Sequence, residues 1–305
     1  MQMSLIASPL NYTGGKFRLL SQILPLFPKK INTFVDLFCG GCNVGLNVKS
    51  KKTIYNDINI NVYNLCNFFK NTDSKNILKQ IYKVITKYKL SIASKYGYEF
   101  YKCDSSKGLS EYNRSGFLKL RSDFNSKINT TFDYYIMLYV MIVYAFNNQI
   151  RFNSNGEFNL PVGKRDFNIK MEQKLIKFIK RLHEQDCEFS CIDFRNFNID
   201  ILKKDDFVYI DPPYLITCAT YNENGGWSQN DEKDLLDFLD ILDGKNIKFA
   251  LSNVLASKGK TNEILKFWLK NRAYKTHHLK YKYSNSNYQT KDKISSSNEI
   301  LVTNY

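Results

Sequence analysis

The segment FVYIDPPY, residues 207–214, decides how the chain is expected to fold. Its first four residues are apolar or aromatic, which predicts a short buried β-strand over 207–210. Two consecutive prolines then restrict the backbone and remove two N–H donors, so the strand has to end at Asp211 in a rigid turn. An acid, free main-chain carbonyls and the aromatic ring of Tyr214 are therefore expected together at the end of a strand.

Three further apolar segments end at a polar residue or a glycine. They are residues 34–38 (FVDLF, before Cys39-Gly40-Gly41), 53–55 (TIY, before Asp57) and 247–251 (IKFAL, before Ser252-Asn253). Helical spacing of apolar residues occurs over 17–26 and 231–242. Strands that alternate with helices predict an α/β fold with a mostly parallel sheet, in which ligands bind beyond the carboxyl ends of the strands.

The alternation of strands and helices is interrupted between about residues 62 and 190. Helical spacing recurs there, over 76–90, 132–146 and 171–183. Between the last two helices, residues 149–165 contain short alternating segments on either side of Ser154-Asn155-Gly156. These three residues favour a turn, so the segment predicts a β-hairpin that projects from a helical insert.

These patterns divide the chain into two predicted domains. The sheet domain is discontinuous and comprises residues 1–61 and 187–305, and the insert comprises residues 62–186. Two extended segments, 274–283 and 298–304, are expected near the end of the chain. A polar loop rich in Asn, Ser and Lys, over 284–297, joins them.

The composition favours a folded protein that binds a polyanion. The 305 residues include 44 Lys and Arg against 29 Asp and Glu, a formal net charge of +15. This excess favours nucleic acid before a membrane surface, although a Lys-rich composition that only maintains solubility is the alternative. The longest apolar run, residues 134–146, is too short to span a membrane, and the N-terminus lacks the pattern of a signal peptide. We therefore expect a cytoplasmic protein with no membrane partner.

The seven cysteines form an odd set, which favours reduced thiols over a disulfide framework. Cys39 and Cys42 could join Cys187 and Cys191 in a zinc site. The first two lie inside a glycine-rich turn that has another use, so we predict no metal.

The residues that follow position 210 suit a planar group that bears an NH2. Asp211 can accept one N–H, the Pro212 carbonyl can accept the other, and Tyr214 can stack on the ring. A rigid turn with a surface acid is the structural alternative. Near the N-terminus, the Gly-Gly turn of NYTGGK, residues 11–16, places Lys16 at the opening of a helix, where it can meet a carboxylate or a phosphate.

A glycine-rich loop over residues 38–43 follows the strand of 34–38. Gly40 and Gly41 allow a ligand to approach the backbone closely. Asp57 lies about 20 residues further on, where an acid can bind ribose hydroxyls. The two features predict a cofactor that contains adenosine. The loop lacks the GxGxxG spacing, which weakens the alternative of a nicotinamide-dependent oxidoreductase.

The ordered motifs resemble the Dam-like adenine-specific DNA methyltransferases, the alpha group of the D12 class. The segments that carry the resemblance are PLNYTGGKFRLL (9–20), VDLFCGGCNVGLN (35–47), IYNDIN (54–59), RFNSNGEFNLPVGK (151–164), FVYIDPPY (207–214), LSN (251–253) and NEILVTNY (298–305). The resemblance implies a Rossmann-like methyltransferase sheet with a helical target-recognition insert that carries a β-hairpin. It also implies S-adenosylmethionine as the cofactor, double-stranded DNA as the partner, and no metal.

The resemblance implies roles for individual residues. Those implied to bind the cofactor are Tyr12, Lys16, Phe38, Gly40, Gly41, Asp57, Asp193 and Asp211. Those implied to be catalytic are Asp211, Pro212 and Tyr214, and those implied to bind DNA are Arg151, Asn153 and Lys164. Many relatives have glycine where this chain has Cys42, and we expect altered packing there rather than lost binding.

By this resemblance the enzyme moves a methyl group to the N6 amino nitrogen of an adenine that is flipped out of the duplex. Asp211 and the Pro212 carbonyl would make that nitrogen more tetrahedral, and positioning would supply most of the acceleration. Arg151 is the expected guanine contact and Asn153 a second reader, with a phosphate clamp as the alternative for Arg151. The leading recognition site is GATC, and a longer site that contains GAT stays open.

Two other classes of function remain at this stage. One is an amino-methyltransferase that acts on cytosine N4, RNA or a protein amide. The other is a non-catalytic DNA-binding protein of the same fold, against which the intact DPPY motif and Asp57 argue. A restriction endonuclease encoded nearby would be the partner of a modification enzyme, while an orphan bacterial or phage-encoded enzyme would have none.

Overall fold

The computed structural model describes residues 5–12, 14–126, 132–217, 226–280 and 298–305. The chain forms two compact units. The helical unit comprises Met1–Gly15 and Asn61–Gln185, and the sheet unit comprises Lys16–Ile60 and Asp186–Tyr305. The first fifteen residues, which the sequence pattern places in the sheet domain, are thus grouped with the helical unit.

The sheet unit is built on one mixed sheet. Its strands in the described residues are β1 (Thr33–Asp36), β2 (Lys52–Asn56), β3 (Cys187–Ser190), β4 (Phe207–Ile210), β5 (Lys248–Ser257), β6 (Lys260–Thr261), β7 (Lys275–Leu279) and β8 (Asn298–Thr303). The strand order is β3-β2-β1-β4-β5-β8-β7, and β6 pairs with β5. All neighbours from β3 to β5 are parallel, whereas β8 runs antiparallel to β5 and to β7. The predicted α/β class with a mostly parallel central sheet is confirmed.

The helices of the described residues connect and cover these strands or build the helical unit. They are α1 (Leu20–Ile23), α2 (Ile60–Lys70), α3 (Ser74–Lys87), α4 (Ala93–Phe100), α5 (Ser110–Asn125), α6 (Phe132–Tyr144), α7 (Ile169–Glu184), α8 (Gln229–Gly244) and α9 (Glu263–Lys270). Short 3-10 segments cover Lys16–Leu19, Leu24–Leu26, Gly45–Asn47, Phe146–Asn148, Phe194–Asn196 and Ile199–Ile201. Of the described helices, none has the length and apolar character needed to cross a membrane.

Strand β4 shows why the centre of the sheet is stable. All four of its residues are buried. Phe207 and Tyr209 pack on one face of the sheet with residues such as Phe27, while Val208 and Ile210 pack on the other. A strand that is covered on both faces has no polar alternation, which is the pattern of FVYI.

The helix predicted over 231–242 begins slightly earlier, at Gln229, because Ser228 caps it. The Ser228 hydroxyl accepts the Asp231 N–H at 3.2 Å, and the Asp231 carboxylate accepts the Ser228 N–H at 2.8 Å. This reciprocal pair satisfies two N–H groups that a helix start leaves without partners. The helix predicted over 17–26 is instead three short segments, with Pro25 in the last of them.

The helical unit is organised around α6, whose residues Ile136–Tyr144 are buried without exception. Helices α3 and α7 present amphipathic faces to this core, and both lie close to the ranges predicted from spacing. The predicted segment 149–165 differs from a regular hairpin. Phe152 and Phe158 form one isolated antiparallel bridge, and Ala145 and Val162 form another.

The continuous ladder is missing because helix α5 uses the backbone of one arm. Asn125 bonds the N–H and the carbonyl of Phe158, at 2.9 and 3.2 Å, and Arg121 bonds the Leu160 carbonyl at 2.9 Å. The segment is therefore a short bridged turn held by side chains of α5. At the C-terminal end of the sheet unit, β7 and β8 match the two predicted extended segments, and the predicted loop over 284–297 lies outside the described residues.

Candidate active site

Four acidic side chains lie at one edge of the sheet. Asp36 is the last residue of β1, Asp57 follows β2 and Asp211 follows β4, so all three stand at the carboxyl ends of parallel strands. Because β8 is antiparallel to β5, its early residue Glu299 lies at this edge as well. The chain order of the strands reverses between β1 and β4, and ligands of such sheets bind at this type of position.

Lys16 is buried at the centre of this edge. Its ammonium nitrogen lies 2.9 Å from Asp211 Oδ1 and 3.8 Å from Glu299 Oε1. It also lies 4.9 Å from the centre of the Tyr214 ring, and covers one face of that ring. The Tyr214 hydroxyl donates to Asp211 Oδ1 at 2.9 Å and lies 3.4 Å from Glu299 Oε1. The structure thus brings Lys16, Asp211 and Tyr214 together.

Asp211 is arranged to accept further N–H donors. Burial raises the pKa of its carboxyl, and the Lys16 ammonium and the Tyr214 hydroxyl oppose that rise. Both of these groups bond Oδ1, and within the described residues Oδ2 accepts no hydrogen bond. Pro212 is a buried residue, and its carbonyl likewise accepts no hydrogen bond from the described residues. Two acceptors are therefore available beside one another.

The glycine-rich loop is tied to the neighbouring strand ends through carboxylates. The Gly40 N–H donates to Asp57 Oδ2 at 2.8 Å, and the Asn59 N–H donates to Asp57 Oδ1 at 2.9 Å. The Gly45 N–H donates to Asp36 Oδ2 at 3.0 Å. A Cβ atom at Gly45 would come within 2.3 Å of the Tyr55 ring, so only glycine fits there.

Burial dominates the electrostatics of these two acids. It raises the pKa of Asp57, although the two backbone hydrogen bonds oppose it. Burial also raises the pKa of Asp36, to about 8, with further contributions from the charges of Asp211 and Asp57. A cation bound at this edge of the sheet would favour the ionised form of all three acids.

Phe38 lies in a small aromatic cluster beside the loop. Its ring centre is 5.6 Å from that of Phe194 and 5.9 Å from that of Trp227. Trp227 is held in place by Glu232, which accepts its indole N–H at 2.6 Å. Glu232 is fully buried and also accepts from Asn253 and Asn262. The cluster offers an apolar wall next to Gly40.

Asp193 is close to this cluster but is engaged elsewhere. It caps the 3-10 segment Phe194–Asn196 by accepting the Arg195 N–H at 2.9 Å. Its carboxylate also pairs with the Arg195 guanidinium at 3.0 Å, and the same guanidinium bonds Asp231 and Asp234. A cofactor role for Asp193 would have to coexist with this ion-pair network.

The remaining predicted site residues belong to the helical unit. The Tyr12 carbonyl accepts the Gly15 N–H at 3.1 Å in a tight turn. Arg151 is exposed, and its guanidinium bonds the side chain of Asn159 at 2.7 Å. The Asn153 side chain closes the bridged turn, because its Oδ1 accepts the Asn155 and Glu157 N–H groups. Lys164 is exposed, and its backbone carbonyl accepts the Leu109 N–H.

The cysteines of the alternative zinc site do not form a ligand set. Cys39 and Cys42 share one turn, with their sulfur atoms 3.9 Å apart. In the parts of the chain that the structure describes, no group of three or more His, Cys, Asp or Glu side chains could hold a metal ion.

The sequence profile of the D12 class N6 adenine-specific DNA methyltransferases matches residues 12–285. The chain belongs to this family. The resemblance stated from its motifs is thereby confirmed, and the edge of the sheet that carries Asp211 is the one that carries the DPPY motif.

Three similar proteins show how far the likeness extends. The chain is 44% identical to the type II methyltransferase M.FokI of Planomicrobium okeanokoites over 308 residues, 99% of this chain and 43% of that protein. It is 40% identical to the modification methylase StsI of Streptococcus sanguinis over 306 residues, 98% of this chain and 43% of that protein. It is 29% identical to the DNA adenine methylase of Haemophilus influenzae over 205 residues, 67% of this chain and 63% of that protein. The chain thus spans less than half the length of the first two relatives.

Cys42, the departure from the usual motif of these methyltransferases, has a backbone explanation. Its φ is 62°, in the left-handed region that favours glycine, and the residue is fully buried. A cysteine in that conformation carries a steric cost that glycine does not. The loop keeps its turn, since the Cys42 N–H donates to the Cys39 carbonyl at 2.7 Å.

Sequence reasoning missed Asp36, Glu299 and the pair of Trp227 and Glu232. Asp36 is predicted only as part of the strand FVDLF, although an acid inside an otherwise apolar strand by itself indicates a candidate site residue. Glu299 likewise precedes the buried run Ile300-Leu301-Val302. Nothing in the local sequence indicates that Trp227 packs on Phe38, because that contact joins distant segments.

Proposed function

We propose that this chain transfers a methyl group from S-adenosylmethionine to the N6 amino nitrogen of an adenine in double-stranded DNA. The observation that carries the proposal is the arrangement after β4. There the Asp211 carboxylate, whose side chain is only 16% exposed, keeps one oxygen available beside the Pro212 carbonyl, and its contact with Lys16 at 2.9 Å shows that it accepts an N–H donor.

The residues at the sheet edge fit S-adenosylmethionine. Burial raises the pKa of Asp36, Asp57 and Asp211, and a cofactor that carries a sulfonium and an ammonium would favour their ionised forms and bind to them. Each Asp57 oxygen accepts one backbone N–H and retains a lone pair for a ribose hydroxyl. Phe38 and the glycine loop would enclose the remainder of the cofactor, whose chemistry when bound is to supply an activated methyl group.

The chain's own residues would prepare the acceptor nitrogen. Asp211 Oδ2 and the Pro212 carbonyl would each accept one hydrogen of the adenine amino group, which favours a more tetrahedral and more nucleophilic nitrogen. Tyr214 would stack on the flipped base with the ring face that Lys16 does not cover. Fixed acceptors in a buried site supply positioning and preorganised electrostatics, which account for most of the acceleration.

The distribution of charge supports DNA as the substrate. The helical unit contains 21 Lys and Arg against 10 Asp and Glu, a net charge of +11. The sheet unit contains 23 against 19, a net charge of +4. Most of the +15 of the chain therefore lies in the unit that includes the insert. We assign target recognition to residues 62–186 and catalysis to 1–61 with 187–305.

The bridged turn would read the DNA sequence, with Arg151 as the guanine contact. Its side chain is exposed, and its guanidinium bonds the Asn159 side chain at 2.7 Å and the Asn159 carbonyl at 3.3 Å, so a guanine in DNA would compete for the same donors. Asn153 would be a second reader and Lys164 a phosphate contact. We propose GATC, or a longer site that contains GAT, as the target. By analogy with relatives named modification methylases, the chain would protect DNA from a restriction endonuclease encoded nearby.

The test is methyl transfer from labelled S-adenosylmethionine to a panel of acceptors, followed by chromatography of the modified nucleosides. We expect N6-methyladenine from duplex DNA and no product from RNA. An Asp211→Ala variant should lose transfer by at least about 1,000-fold, while Asp200→Ala, at an exposed acid of the same unit, should retain it. Label on cytosine N4 or on RNA would favour the other acceptors. Cofactor binding without any transfer would favour a non-catalytic DNA-binding protein.

A further inference from the structure

The acid Glu299 lies in the candidate site, and the resemblance implies no role for it although it implies roles for Lys16, Asp211 and Tyr214. It is the second residue of β8, only 1% exposed, and is followed by three buried apolar residues. A buried carboxylate is costly unless charged or polar groups compensate it. Two groups that face it are the Lys16 ammonium at 3.8 Å and the Tyr214 hydroxyl at 3.4 Å.

Both of those donors are shared between Glu299 and Asp211. The Lys16 nitrogen is 0.9 Å closer to Asp211, at 2.9 against 3.8 Å. The Tyr214 hydroxyl is 0.5 Å closer to Asp211, at 2.9 against 3.4 Å. A small displacement of the Lys16 ammonium or of the Tyr214 hydroxyl would therefore move that donor from the Asp211 carboxylate to the Glu299 carboxylate. The donor would stay out of water during this move.

This exchange matters for the proposed reaction, because the amino group of adenine needs the same carboxylate. An ammonium that stays on Asp211 Oδ1 withdraws electron density from the whole carboxylate, so Oδ2 becomes a weaker acceptor for the incoming N–H group. Moving a buried ammonium away from a carboxylate is costly when no second carboxylate can receive it. Glu299 is in the position to receive it.

We infer that Glu299 is a positioning residue, which takes the Lys16 ammonium from Asp211 when the amino group of the target base binds. The inference rests on the proposed function. It assigns to Glu299 no contact with the cofactor or with the reacting atoms. Glu299 acts on the reaction through Lys16, so the effect of replacing Glu299 has to depend on whether the Lys16 side chain is present.

The test compares two duplexes that carry the recognition site. One has adenine at the target position, and the other has purine, which has the same ring without the amino group. The wild type should bind the adenine duplex more tightly. Glu299→Gln keeps the shape and the hydrogen-bond acceptor but removes the charge, and should reduce this preference by about 10-fold. Its single-turnover rate constant at saturating cofactor should fall by about 10- to 100-fold.

Three variants separate positioning from a merely structural role. Glu299→Asp, which restores the charge, should recover part of the preference. In a Lys16→Gln background, the further change Glu299→Gln should alter the preference by less than about threefold, because no ammonium remains to be moved. Glu188→Gln, at an exposed acid of β3, should behave as wild type.

An unchanged preference for adenine in a folded Glu299→Gln protein would overturn the inference, as would an equal loss with and without Lys16. If Glu299→Gln does not fold, the inference is tested with the Lys16→Gln variant alone, by its preference for the adenine duplex over the purine duplex. Its preference for adenine should equal or exceed that of the wild type, and a lower one would overturn the inference. A wild type without adenine methylation would instead refute the proposed function.

Discussion

Replacing Asp36 by asparagine should make the protein more stable at neutral pH than the wild type. The side chain of Asp36 is buried, and its pKa is raised from 3.8 to about 8 in the folded state. In the unfolded chain the carboxyl has an ordinary pKa. Between pH 4 and pH 8 the folded state therefore binds a proton that the unfolded state has released, so the free energy of unfolding falls as the pH rises.

The size of this effect follows from the two pKa values. At pH 7 the pH lies 3.2 units above 3.8, the pKa of the carboxyl in the unfolded chain. At about 1.36 kcal/mol per unit, keeping Asp36 protonated in the folded state lowers the free energy of unfolding of the wild type by about 4 kcal/mol. The introduced asparagine would carry no ionisable group, and its side-chain oxygen can still accept the Gly45 N–H that Asp36 now accepts. We thus expect Asp36→Asn to gain up to about 4 kcal/mol at pH 7 and nothing near pH 4.

The assay is urea unfolding of the cofactor-free protein from pH 4 to pH 9, followed by tryptophan fluorescence and linear extrapolation. The quantity of interest is the difference in unfolding free energy between Asp36→Asn and wild type at each pH. It should grow steadily from pH 4 and level off near pH 8. Asp205→Asn, at an exposed acid of the same unit, controls for the loss of one negative charge. A difference that is independent of pH would refute the reasoning about Asp36.

Three further predictions concern other parts of the molecule. Arg151→Lys keeps the charge but loses the planar guanidinium, so the ratio of methylation at the cognate site to that at a single-base variant should fall by about 10- to 100-fold; an unchanged ratio in a competition assay would limit Arg151 to phosphate contact. Cys42→Gly should be more stable than Cys42→Ala by about 1 kcal/mol in thermal unfolding, because both lose the sulfur and only glycine relieves the φ of 62°; equal stability would contradict the backbone argument. Glu232→Ala should lower the free energy of unfolding by about 3 kcal/mol or more, since it leaves two buried donors and the half-buried indole N–H of Trp227 without this acceptor. It should also shift the fluorescence of Trp227, and an unshifted spectrum would show that Glu232 does not hold Trp227.

The strands that the sequence located best are those that are buried on both faces. The sequence predicts a strand over 207–210 with the bounds that the structure has, because four apolar or aromatic residues are followed by Asp211 and two prolines, which end the strand. Helices α4 and α5 were not predicted. Both contain glycine, and α4 has no buried residue in its range. The buried face of α5 has three apolar residues, Phe117, Leu120 and Phe124, and begins with the polar Asn113, which weakens its apolar pattern.

The candidate site was predictable only where its residues lie in a recognisable local motif. The DPPY segment, the glycine loop and Asp57 stand at the ends of strands, so the sheet rule alone brings them to one edge. Glu299 is 283 positions from Lys16 in the chain, and their proximity depends on β8 running antiparallel to β5. The bridged turn around Arg151 differs from the predicted hairpin because Asn125 and Arg121 of α5 take its backbone groups.

Methylation mapping on unmethylated plasmid DNA tests the proposed methyl transfer to adenine directly. Purified protein and S-adenosylmethionine are incubated with the plasmid, which is then sequenced by a method that reports modified bases. We expect N6-methyladenine at one short motif, with GATC or a site that contains GAT as the expected sequence, and no modification by Asp211→Ala. Modified adenine at an unrelated motif would contradict only the proposed target. A plasmid without methylated adenine, from a protein that binds S-adenosylmethionine, would contradict the proposed function itself.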